Sequence, residues 1–104
     1  MLSFFLESPV IHTSKLTPRE MHRLSRRVGE NWFMLAGYLG IPEPDVKDIQ
    51  YSNIYPRQTS KAEKTLHLYN ISSNFNRRSL ASYLGEMHLL SAKEEVDTGS
   101  LRHL

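Results

Sequence analysis

The chain has 104 residues, 39% of them hydrophobic and 23% charged, with a net charge of +2 and no cysteine. That length suits one domain with a single modest core, and the composition is that of a folded chain, not a disordered one. The lack of cysteine excludes a disulfide framework and a cysteine-ligated zinc site, and no apolar run approaches the ~18 residues that a membrane span needs.

The opening "MLSFFLESPV" carries a short apolar run broken by Glu7, with no basic region before it. This disfavours a signal peptide. Residues 1–14 have no clear period and are expected to be an N-terminal arm or linker. Residues 15–97 are the expected folded domain, and 98–104 a frayed tail.

The first predicted helix opens at "LTPREMHRLSRRVG". Thr17 suits the N-cap, Pro18 the first helical position, and Glu20 completes a capping box. Met21, Leu24 and Val28 form an inward stripe. At 100° per residue, Arg19, Arg23 and Arg26 fall on the far side, with Arg27 on its shoulder.

A second helix is predicted from Asn31 or Trp32 to Leu39. Trp32, Leu35, Ala36 and Leu39 share one face, and Gly40 is the terminator. That spacing assigns Trp32, the sole tryptophan, to core packing, where one large ring can touch several helices. Pro42 and Pro44 bracket the start of a third helix with Val46 and Ile49 inward, and Glu43 and Asp45 near its N-terminus favour that start.

The fourth helix is expected to begin with a capping box of Ser60 and Glu63, burying Ala62, Leu66 and Tyr69. After the turn-rich "ISSNFN", a fifth helix from Arg77 to Met87 buries Leu80, Leu84 and Met87, with Tyr83 at its margin. Ser91 and Glu94 suggest a third capping box before a short helix ending near Val96. The expected architecture is an all-α, six-helix antiparallel bundle.

Nothing in the sequence assembles a catalytic site. The five histidines (His12, His22, His67, His88 and His103) form no H-E-x-x-H pair or close ligand cluster. There is no G-x-S-x-G elbow, and the scattered glycines make no phosphate-cradling loop. The expectation is a non-enzyme with no cofactor, no bound metal and no small-molecule substrate.

Charge is segregated instead. Residues 15–30 hold Lys15, Arg19, Arg23, Arg26 and Arg27 against Glu20 and Glu30, while Glu43, Asp45 and Asp48 face only Lys47 across residues 43–48. Arginine forks on a rigid helix suit bidentate contacts with a partner's carboxylates. A solvated helix face is the plainer reading of the same arginines. A nucleic-acid-binding domain is an alternative, since "VKDIQYSNIYPRQTSKAEKTL" can be forced into a helix-turn-helix. Its long turn contains Pro56, Glu63 interrupts Lys61 and Lys64, and the acidic corner nearby repels a duplex. An intramolecular structural or autoinhibitory domain is the other alternative.

The segments "LSRRVGENWFMLAGYLGI" and "EPDVKDIQYSN" resemble a death domain, the six-helix module of the death-fold superfamily. The resemblance is carried by the unit "W..LA..LGI....V..I". Residues 16–54 match well. Residues 60–96 follow in outline, with Tyr69 where the family often has tryptophan and "NRRSLASYLGEM" as the fifth helix.

The resemblance implies a death-fold bundle and a cytoplasmic adaptor function. Such a module binds another death-fold protein, homotypically or heterotypically, in apoptotic, inflammatory or NF-κB signal transduction. It also implies a basic contact face of Arg19, Arg23, Arg26, Arg27, Arg77 and Arg78, and an acidic corner of Glu43, Asp45 and Asp48. No membrane contact by this segment is expected.

Overall fold

A computed structural model describes residues 14–102, so all of the expected arm at residues 1–14 except Ser14 lies outside the described residues. The helices are α1 (Pro18–Val28), α2 (Trp32–Leu39), α3 (Glu43–Tyr51), α4 (Gln58–Ile71), α5 (Arg77–Glu86) and α6 (Leu90–Thr98). There is no strand among the described residues.

The expected six-helix antiparallel bundle of the death-fold type needs correction. A 3-10 turn over Gly29–Asn31 joins α1 directly to α2. Residues 18–39 are thus one bent helical segment, and the bundle has five segments separated by loops. The bend has a local cause. Gly29 adopts φ 48°, a conformation that only glycine takes without penalty.

The capping box of α1 forms as expected: the Glu20 amide donates to Thr17 Oγ1, and the Thr17 amide to Glu20 Oε1, both at 3.1 Å. The other two expected boxes do not form. Helix α4 begins at Gln58, so Ser60 lies inside its first turn, and α6 begins at Leu90, ahead of Ser91; neither helix has a side-chain cap. In each case the preceding structure fixes the start. Gln58 Oε1 accepts from the Trp32 indole at 2.8 Å. Leu89 closes a turn on Leu84 with a 2.9 Å backbone bond, and α6 follows at once. The cap that the sequence reading omitted is Asn76, whose side chain accepts from the Ser79 amide at 2.9 Å.

Helix α4 is the central element, in contact with α1, α2 and α3. Its Ala62, Leu66 and Tyr69 pack with Leu24, Val28, Leu35, Ile49, Leu80 and Leu84 in one core. Trp32 is 4% exposed and belongs to that core. The Tyr69 hydroxyl donates to the Asn76 carbonyl at 3.2 Å and accepts from the Asn76 amide at 3.0 Å. A tyrosine ring thus reaches from the core to pin the start of α5.

The N-terminal end of the folded unit is tied down where the domain was expected to begin, and the C-terminal end reaches further than expected. Asn70 brackets Leu16, accepting from its amide at 2.8 Å and donating to its carbonyl at 3.1 Å. At the other end, Gly99 turns the chain at φ 71° into a 3-10 turn, Ser100–Arg102. Leu101 is 1% exposed. Within the tail expected to fray, Gly99 and Leu101 are therefore packed, with Thr98 and Ser100 exposed between them; an apolar residue soon after a left-handed glycine commonly folds back this way.

Candidate interaction surface

The six arginines of the expected basic face divide sharply. Arg77 is not on the surface at all: it is 1% exposed, against a Glu20 that is 2% exposed. Its two terminal nitrogens each donate to a Glu20 carboxylate oxygen at 2.8 Å. The remaining three N–H groups donate to the carbonyls of Ser14, Lys15 and Val96, each at 3.1 Å. All five guanidinium donors are used. This satisfaction lets a charge lie in the core without an orphaned polar atom. Arg77 therefore clasps the N-terminal strip, α1 and α6 together, and is removed from any docking face.

Two more arginines serve the fold. Arg23 donates to the Leu101 carbonyl at 3.0 Å, securing the C-terminal turn. Arg27 makes a two-pronged contact with Glu95, both bonds at 3.0 Å. The hydrogen bond and then the charge of Glu95 hold the Arg27 guanidinium above its usual pKa, while burial opposes them weakly. Arg19, Arg26 and Arg78 are exposed. Among the described residues the side chains of Arg19 and Arg26 form no hydrogen bond or ion pair.

The acidic corner lies on α3, which buries only Ile49. Glu43, Asp45 and Asp48 are all exposed. Glu43 pairs with Lys47 at 3.2 Å along the helix, while Asp45 and Asp48 have no ion pair among the described residues. Lys61 caps the far end of α3, donating to the Ile49 and Gln50 carbonyls at 3.0 and 3.1 Å. That fixes α3 as a platform. It also occupies a lysine that the helix-turn-helix reading needs for phosphate contact.

Two features of this surface escaped the sequence reading. Tyr51 and Ile54 are 76% and 77% exposed, so apolar area continues from the acidic helix into its following loop. Arg57, at the N-cap of α4, is exposed and has no ion pair among the described residues. Its position between Pro56 and Gln58 gives a hint only in hindsight, because the expected helix start lay beyond it.

Among the described residues no group of three metal-ligating side chains converges, and no helix is long and apolar enough to cross a membrane. His22 faces Glu63 at 3.3 Å, and His12 and His103 lie outside the described residues. No family model, curated protein or solved structure matches the chain.

Proposed function

We propose that this chain is a protein-interaction module that docks another helical domain by charge complementarity. The observation that carries the reading is how its charges are used. Arg23, Arg27 and Arg77 are consumed by the fold. Arg19 and Arg26 on α1, and Asp45 and Asp48 on α3, are held on helices with no intramolecular counter-charge among the described residues. Preorganised opposite charges favour encounter and register more than raw affinity, so several contacts must form together. Tyr51 at the end of the acidic helix and Ile54 in the loop after it supply apolar area for such an interface.

The resemblance of residues 16–54 to death domains supports a signalling role and a partner of that family. The first partner that fits the pattern is a second copy of the chain, because it carries both signs. A charge swap tests this. Arg19→Glu with Arg26→Glu should abolish self-association and leave helix content intact. Mixing that variant with an Asp45→Arg, Asp48→Arg variant should restore association. Failure of the mixture to associate, with both variants folded, refutes the pairing.

A further inference from the structure

A second basic feature lies where α1 passes the start of α4. A cleft there is lined by Ser25 and Arg26 from α1 and by Arg57, Thr59 and Ser60 from the start of α4, with His22 and Glu63 completing it. Some of these groups are already committed. Ser25 Oγ donates to the His22 carbonyl at 2.6 Å, and His22 Nδ1 lies 3.3 Å from Glu63 Oε1. The rest are not. The guanidiniums of Arg26 and Arg57 and the hydroxyls of Thr59 and Ser60 form no hydrogen bond among the described residues.

The stoichiometry selects the ligand. Each guanidinium brings five N–H donors and each hydroxyl one. A lone carboxylate carries one charge and is satisfied by one arginine fork. A phosphate monoester carries close to two negative charges and three strong acceptor oxygens, which matches two guanidiniums and two hydroxyls on separate elements. Glu63 opposes an anion, but its near oxygen is directed at His22 Nδ1, 3.3 Å away.

We propose that this cleft binds a phosphate monoester. If the chain is the protein-docking module argued above, the phosphate is one carried on a phosphorylated serine or threonine of the partner. The site differs from the charge pairing of α1 with α3 in depending on Arg57, which that pairing does not use.

Amide chemical-shift titration of the dilute chain tests it, with inorganic phosphate and O-phosphoserine as probes and chloride at matched ionic strength as the control. Saturable shifts at residues 25–27 and 57–60 are expected with both probes and not with chloride. Arg57→Gln should weaken binding about tenfold, the loss of charge-assisted hydrogen bonds to one guanidinium. Arg19→Gln, outside the cleft, should leave it unchanged. Both side chains are exposed and have no partner among the described residues, so the variants should keep the wild-type spectral dispersion.

A linear drift equal to that in chloride overturns the site, as does wild-type affinity in Arg57→Gln. Binding of O-phosphoserine at least as tight as phosphate supports the protein-borne source, and weaker binding refutes that source. Arg26 is shared by the cleft and the proposed self-association. The two are separated by Arg57→Gln, which touches only the cleft, and by Asp45→Arg with Asp48→Arg, which touches only the charge pairing.

Discussion

Replacing Arg77 with methionine should be among the most damaging single changes in the chain. The substitution keeps much of the side-chain volume but removes the charge. It leaves a Glu20 carboxylate that is 2% exposed, with Arg102 Nε at 3.8 Å as its nearest remaining cation. It also strips a donor from the carbonyls of Ser14, Lys15 and Val96. Removing one partner of a buried ion pair costs about 3–5 kcal/mol, mainly because the other charge stays desolvated. Against a domain stability of about 5–15 kcal/mol, that should lower the melting temperature by at least about 12 °C. Urea unfolding followed by Trp32 fluorescence measures the loss. Replacing Glu20 with methionine as well should recover part of it, since no unpaired charge remains. A loss below about 1 kcal/mol for Arg77→Met would refute the reasoning, taking the cited cost as the scale. So would a double variant that loses the full sum of the two single changes.

Trp32→Ala should cost about 3–5 kcal/mol through the cavity it opens, and an unchanged urea midpoint would show that the ring carries no core packing. His88 closes the α5 turn at φ 64°, with its amide donating to Gly85 and that of Leu89 to Leu84. The left-handed conformation costs a side chain about 1–2 kcal/mol and glycine's extra chain entropy returns about 0.5–1, so His88→Gly should stabilise by about 0.5–1 kcal/mol; thermal melting that shows a loss contradicts this. Burial raises the Tyr69 phenol above its usual pKa of 10.0, while the Asn76 backbone bond pulls it down and Tyr83 adds a smaller upward push. The unfolded chain therefore releases this proton first. The contribution is intact below pH ~10 and is lost as pH rises towards the folded value. Tyr69→Phe should show a shallower alkaline decline in melting temperature, and an identical decline would exclude Tyr69 as its source.

The parts of the fold legible in the sequence were those set by neighbours along the chain. Thr17, Pro18 and Glu20 announce α1 within four residues, and the spacing of Trp32, Leu35, Ala36 and Leu39 before Gly40 defines α2 and its buried face. What escaped depends on distant partners. Arg77 sits in a polar "NRRS" run, and nothing in its spacing points to Glu20, which is 57 positions away. Ser60 with Glu63, and Ser91 with Glu94, satisfy the capping pattern, but tertiary contacts and the preceding turn start those helices earlier. The separation of α1 from α2 was over-read because Gly29 marks a bend as readily as an end. The candidate surface shows the same division. Helical periodicity places Arg19 and Arg26 outside correctly, and Glu43, Asp45 and Asp48 are exposed on a helix that buries little. Periodicity cannot show that Arg23 and Arg27 are drawn to Leu101 and Glu95, or that Arg57 joins Arg26 in a cleft.

Size-exclusion chromatography with light scattering, over a concentration series at low and high salt, tests the central claim most directly. Charge-complementary docking predicts a mass that grows with concentration beyond the 12.1 kDa monomer at low salt. It should fall back when salt shortens the screening length, and Arg19→Glu with Arg26→Glu should remove the growth. A monomer at every low-salt concentration would contradict self-association, and growth indifferent to salt and to charge reversal would contradict the role assigned to these charges.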